Sequence, residues 1–223
     1  MSLSADVANP ATTFDALVQW AMVPQRQSDV VAARAEYASL AGEVFDEDRQ
    51  FELRLSAFLE FYLCDRPASW AAGMTPARAR YVESLRGGTP AEAAGWRVFT
   101  ETWHGLFQVR SLSAGLVRLL SLSTHSEVDV IERRTLHGLT IGDVLEARLL
   151  PFGGQLVFST TWVWHPHEAA RAIVTEAERR RKSGAAERDL IFDCARRSLK
   201  VDRYRQIAIE KIYDFSSRLS DGR

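Results

Sequence analysis

The feature that most constrains this 223-residue chain is a change of period at His104-Gly105. Upstream, apolar residues recur every three to four positions, as in amphipathic helices; downstream they alternate with a period of two over about sixty residues. Four or five short strands fit that interval: Leu106 to Ser111, Leu116 to Leu122, Val128 to Arg133, Val144 to Leu150 and Gln155 to Trp164, rich in Val, Leu, Ile, Phe and Trp. Strands this short must curl on themselves or lean on helices to hide an apolar face, and a small antiparallel barrel is the economical solution. Gly153-Gly154 suits a tight two-residue hairpin turn, and Ser113-Ala114-Gly115 and Gly138 to Gly142 supply other reversals.

The flanking segments read as helices with clear punctuation. Phe14, Leu17, Val18 and Met22 form one stripe, Pro24 ends it, and Val30, Val31, Ala35, Tyr37 and Leu40 form a second after a Ser28 or Asp29 N-cap. Asp46 to Asp65 is the most strongly patterned helix, with Phe51, Leu55, Phe58, Leu59 and Tyr62 on one face and Asp65-Arg66-Pro67 at its end. Thr75-Pro76 and Thr89-Pro90, the latter with Glu92 completing a capping box, start two more. Beyond Trp164, Ala169, Ile173, Val174 and Ala177 mark a helix stopped by Ser183-Gly184. A last one from about Glu187 carries Leu190, Ile191, Cys194, Leu199, Val201, Ile212 and Phe215, with a break near Asp202.

Composition excludes several classes. With 46% hydrophobic and 26% charged residues the chain is neither disordered nor fibrous. Cys64 and Cys194 are too few for a disulfide framework or a four-thiolate zinc site, and both read as buried packing residues; a reducing, cytoplasmic setting is expected. No apolar run is long enough to span a membrane, and the N-terminus lacks a basic n-region, so neither membrane insertion nor secretion is expected. The net charge of -1 hides an asymmetry. Residues 1 to 167 hold 14 Arg against 19 carboxylates, whereas residues 168 to 223 hold 14 basic side chains against 10 acidic ones.

Catalytic signatures are missing. There is no G-x-S-x-G elbow, no G-x-G-x-x-G and no P-loop, which removes P-loop nucleotide hydrolysis. His165-Pro166-His167, with Glu168 or Asp143 as a third donor, is the one ligand-like spacing, but a strand-to-helix corner needs the same Pro. Arg179, Arg180, Arg181, Lys182, Arg188, Arg196, Arg197, Lys200, Arg203 and Arg205 crowd one region, either a nucleic-acid surface or a solvated helical face laced with Glu-Arg pairs. Trp162 and Trp164 share one face of a strand, and packing in the barrel core is expected of both, with a binding platform as the alternative. Arg148 projects from a strand that is apolar at Val144, Leu145, Ala147, Leu149 and Leu150, so it either satisfies a carboxylate across the barrel, for which Asp65, Glu101 and Asp143 are candidates, or emerges at the barrel rim.

Four stretches, Phe58 to Pro67, Gly105 to Val109, Leu139 to Pro151 and Trp164-His165-Pro166, resemble an uncharacterised bacterial family in which an aromatic helix precedes a small SH3-like β-barrel. Some members of that family carry a SEC-C zinc-binding tail linked with protein or ribosome-associated contacts. This chain departs there, with one Cys in its last fifty or so residues. The resemblance implies an architecture and no reaction.

The expected fold is therefore α+β: a helical region over 1-104, a small antiparallel SH3-like barrel over 105-164, and C-terminal helices over 165-223 that pack on the rest. The expected function is a non-enzymatic cytoplasmic protein-interaction or adaptor module with a protein partner. A nucleic-acid-binding protein using the Arg-rich helices and the barrel is the alternative, and a metal-dependent hydrolase at His165 and His167 a second. Binding is assigned to Arg148, Asp143, Trp162, Trp164, His165, Arg179, Arg180 and Arg181. No cofactor, metal ligand or catalytic residue is assigned.

Overall fold

The structure, a computed structural model, describes residues 9–132 and 138–216; the expected end of the third strand at Arg133 and His137 lie outside them. The fold is α+β. Helices α1 (Pro10–Ala21), α2 (Gln27–Ala41), α3 (Phe51–Glu60), α4 (Pro76–Gly87) and α5 (Pro90–Arg97) precede strands β1 (Trp103–Ser113), β2 (Leu116–Ser121), β3 (Glu127–Ile131), β4 (Val144–Phe152) and β5 (Gln155–Trp164). Helices α6 (Ala170–Ser183), α7 (Glu187–Arg203) and α8 (Ile209–Ile212) follow. The strands close into a barrel in the order β1-β2-β3-β5-β4. Ser113 pairs with Leu116 across the first turn, with a bulge between Val109 and Ser111, and Leu116 pairs with Ile131 in the next ladder. Gly153 and Gly154, at φ 60° and 78°, make the β4–β5 hairpin turn, where both central residues need positive φ.

Two of the three capping signals hold; Ser28 and Asp29 instead lie inside α2, which continues a 3-10 turn over Pro24–Arg26, and Asp29 accepts the Ser69 N–H and pairs with Arg66. Thr75 accepts the Arg78 N–H, and Thr89 and Glu92 form the reciprocal box with Pro90 at the first helical position. The aromatic helix differs from its sequence reading in two ways. It begins at Phe51, after turns over residues 46–50, and its last five residues, Phe61–Asp65, widen into a π-turn closed by the Arg66 N–H on the Phe61 carbonyl.

The chain forms two compact units. The first comprises residues up to Ser39, Phe51–His104 and Arg148–Trp162. Its core holds Phe14, Leu17, Phe58, Phe61, Tyr62, Leu63 and Phe99, with Tyr37 packed on Phe58 and Phe61 at 5.8 and 5.2 Å between ring centroids. Arg26 is sandwiched between Trp20 and Trp70, 4.2 and 3.7 Å from the two rings. The second unit comprises Leu40–Gln50, Gly105–Ala147 and Val163–Arg223. Leu106, Leu122, Val144, Ile173, Leu190, Ile191, Cys194, Ile212 and Tyr213 form its core.

Candidate functional site

In the second unit, α6 and α7 meet at a break written into the sequence. Arg180, Arg181 and Lys182 end α6, where positive charge opposes the dipole of the exposed carbonyls, and Gly184 closes the helix in the left-handed conformation with its N–H on the Arg180 and Arg181 carbonyls. Helix α7 restarts at Glu187, whose side chain leaves its own helix: Oε1 accepts the Leu106 N–H at 3.3 Å. Glycine at 105 permits this, because a Cβ there would lie 3.0 Å from that oxygen and 3.2 Å from the Phe107 ring. The result is a solvent-open cleft of ≈ 160 Å³. Leu106, Leu122, Ala177 and Leu190 provide an apolar lining, and Arg180, Arg181, Ser123 and Glu187 provide the polar groups.

The arginines around the cleft divide into engaged and available. Arg179 clasps Glu176 through Nε and Nη2, both at 2.7 Å, and Arg180 reaches Glu176 at 2.6 Å and also Asp193. The Arg179 hydrogen bond, joined by that of Arg180, outweighs burial and holds the Glu176 carboxyl below its usual range. Further along, Arg196 bonds Asp193 and the Leu40 carbonyl, and Arg197 bonds the Ile212 and Asp214 carbonyls beneath the Phe215 ring. Arg203 grips Asp48 at 2.8 and 2.6 Å. Five of the ten cations in this region are thus hydrogen-bonded to acceptors of this chain, and Arg188 stands 5.3 Å over the Phe192 ring. Arg181 is exposed and has no partner among the described residues.

The His165-Pro166-His167 corner is built from two separate contacts. His165 is buried, and its Nδ1 shares a hydrogen bond with the Tyr213 hydroxyl at 2.9 Å. His167 is exposed and donates from Nδ1 to Asp143 Oδ1 at 2.6 Å, while the Thr140 N–H and hydroxyl reach Asp143 Oδ2 at 2.8 and 3.0 Å. Burial opposes the Asp143 charge, but these hydrogen bonds outweigh it and hold the carboxyl below 3.8; the bond to Asp143 raises the imidazole above 6.5. The carboxylate contribution is complete above 3.8 and fades as pH falls through the lowered value. The imidazolium contribution is complete below 6.5 and fades as pH rises through the raised value. The stability gap between wild type and His167→Ala is thus expected to be widest between pH 3.8 and 6.5 and to close on the alkaline side. Urea unfolding at about pH 5 and about pH 9 reads it, and an equal gap at both would refute the pairing.

Arg148 lies in the first unit and faces no solvent. Its Nε donates to Glu60 Oε2 at 3.2 Å, and its Nη1 and Nη2 fork onto Asp65 at 2.9 and 2.5 Å, with Thr102 Oγ1 at 2.7 Å. Of the three candidate partners, Asp65 is the one used; Glu101 bonds Arg97 and Asp143 bonds His167. The π-turn supplies the geometry. Residues five apart point about 140° away from each other in an α-helix, and the wider i to i+5 turn swings Asp65 onto the side of Glu60. Burial raises the Glu60 carboxyl despite Arg148, and it pushes the thiol of the neighbouring Cys64, which is half-buried and not enclosed as Cys194 is, to about 12.

The two indoles correct the sequence reading. Trp164 is 48% exposed at the end of β5, and Trp162 is half-buried and stacked on Phe158 at 5.6 Å. The buried residues from Ser159 onward are Ser159 and Thr161 in β5 and His165 just past its end. Ser159 and His165 have their hydrogen-bond partners inside, the Thr161 carbonyl and the Tyr213 hydroxyl, whereas the Thr161 hydroxyl is buried without one. Of the eight residues singled out for binding, Arg148 and Trp162 belong to the first unit, where Arg148 is enclosed; in the second, Arg180 and Arg181 line the cleft with Arg179 beside them, Asp143 and His165 anchor the corner, and Trp164 is exposed.

The sequence reading missed Glu60, Tyr213 and the cleft. An acid between Leu59 and Phe61 was the available signal for Glu60, the mirror of an Arg in an apolar strand. Among the described residues no three His, Cys, Asp or Glu side chains are grouped to hold a metal ion, and no helix is long and apolar enough to cross a membrane. A family model described as a family of unknown function, DUF7986, matches residues 27–191. No curated protein and no solved structure matches the chain.

Proposed function

The chain belongs to DUF7986, a family of unknown function, so no activity comes with membership, and we propose that it is a non-enzymatic binding module that takes one apolar side chain of a protein partner into the α6–α7 cleft. The observation that carries this reading is the pairing of a small apolar hollow with an uncommitted cation, Arg181. Pockets for cofactors and drug-sized ligands occupy about 300–1,000 Å³, whereas a cavity of about 150 Å³ accepts a benzene ring. At ≈ 160 Å³ the cleft suits a single Phe- or Leu-sized anchor, the arrangement of an interface hot spot. A polyanion such as RNA draws less support, since Arg179, Arg180, Arg196, Arg197 and Arg203 are already held by carboxylates and carbonyls of this chain. A cytoplasmic setting fits the two free cysteines.

Ala185 lines the cleft from the exposed α6–α7 loop and contributes only its backbone N–H to the fold, on the Arg180 carbonyl at 3.1 Å. Ala185→Trp is therefore expected to fill the cleft while changing stability by no more than about 0.5 kcal/mol. Immobilised peptides that differ only in one Phe, Leu or Ala at a central position provide the measurement. Wild type should retain the Phe and Leu peptides over the Ala peptide, and the filled variant should lose that preference. Retention that ignores the anchor, or survives the filling, rules the proposal out.

A further inference from the structure

We propose that the occupant of the cleft is a second copy of this chain, docked through Phe45; the inference rests on the cleft being a binding site. Phe45 is 44% exposed in the segment Gly42-Glu43-Val44-Phe45-Asp46-Glu47-Asp48, and Glu43, Asp46 and Glu47 are exposed around it. A single aromatic anchor ringed by carboxylates matches, in size and in charge, an apolar hollow of ≈ 160 Å³ edged by Arg181. The segment is held ready rather than loose: Arg203 grips Asp48, bonds the Glu43 carbonyl at 2.7 Å and lies 5.0 Å over the Phe45 ring, and Asp48 accepts the Phe45 N–H at 2.8 Å.

The anchor does not reach the cleft of its own chain. The segment is fastened to Arg203 at the C-terminal end of α7, whereas the cleft is walled by Leu190 near the N-terminal end, so the two lie about 20 Å apart along one helix. Anchor and cleft at opposite ends of one rigid element give a head-to-tail contact, which extends with concentration or closes into a ring. An external partner with an acidic, apolar segment then competes with the next copy for the same cleft.

Sedimentation velocity over a concentration series, with full-length protein, tests this. Wild type is expected to gain mass with concentration, less so in high salt. Phe45→Ala and Ala185→Trp are each expected to weaken association by about 30-fold or more. Mixing these two variants is the decisive arm: one retains the cleft and the other the anchor, so the mixture should yield a one-to-one dimer that neither forms alone. Self-association untouched by Phe45→Ala, or a mixture that stays monomeric, overturns the proposal. If wild type stays monomeric while the peptide acetyl-Glu-Val-Phe-Asp-Glu-Asp-amide binds Phe45→Ala protein, the second-copy inference falls and the cleft reading stands. If neither that peptide nor the anchored peptides above bind, both fall.

Discussion

Replacing Arg148 with Met is expected to lower the unfolding free energy by about 3–5 kcal/mol, the largest effect of any substitution proposed for the first unit. The guanidinium is 2% exposed and holds two carboxylates and a hydroxyl at once. Removing it leaves Asp65 without its bidentate partner and Glu60 without the charge that opposes its burial. The loss is dominated by the penalty on those uncompensated acids, not by the attraction given up, which yields a second expectation. In Arg148→Met the orphaned Glu60 carboxyl, already raised by burial, lies further above its unfolded value, so the deficit narrows as pH falls and it takes up a proton. Arg148→Lys keeps the charge but has no fork for Asp65 and is expected to recover only a minor part. Urea unfolding at about pH 7 and about pH 4.5 measures both. A deficit under about 1 kcal/mol, or one that grows on acidification, would show that the cluster does not hold this unit together.

Tyr213→Ala is expected to cost the second unit about 3–5 kcal/mol. Tyr213 is fully buried, stands edge-on to His165 and Phe215 at 5.8 and 6.3 Å, and packs in the cluster that holds Ile173, Ile191 and Cys194. Truncation opens a ring-sized void and removes the hydroxyl that meets His165 Nδ1. Tyr213→Phe separates the two effects, since it keeps the ring and is expected to cost about 0.5–1.5 kcal/mol for the hydrogen bond. Equal losses for both variants would mean that packing contributes nothing, contrary to the buried position. A loss under about 1 kcal/mol for the alanine variant would mean that α8 does not close this core.

Much of the architecture was legible along the chain because it depends on near neighbours. The capping box at Thr89 and Glu92, Pro76 and Pro90 at first helical positions, and the Gly153-Gly154 turn are local devices, and all occur where the residues placed them. The four or five strands expected from period, composition and turn residues are five, each within a few residues of its expected bounds at every described end. Phase was harder. The apolarity of Trp162 and Trp164 pointed them inward, but Ser159, Thr161 and His165 took the buried side, Ser159 with its hydroxyl on the Thr161 carbonyl and His165 on the Tyr213 hydroxyl. The site residues divide the same way. Arg148 among apolar neighbours pointed to a carboxylate partner or a place at the barrel rim, while the burial of the side chain and the choice of Asp65 over Glu101 and Asp143 came with a π-turn that no local pattern announced.

The acidic front and Arg-rich end have a similar history. Sequence by itself determined that the two existed, along with the helix, strand, helix order and the lack of a familiar catalytic signature. Only the tertiary structure decided which charges remain available. Arg203 is bound to Asp48, Arg180 to Asp193 and Arg197 to backbone carbonyls, whereas Arg181 is left at the rim of a hollow whose lining comes from β1, the end of β2, α6 and α7. A cleft of this kind is a property of distances between residues as far apart as Leu106 and Leu190, set by packing once the chain has closed on itself, and periodicity carries no record of it.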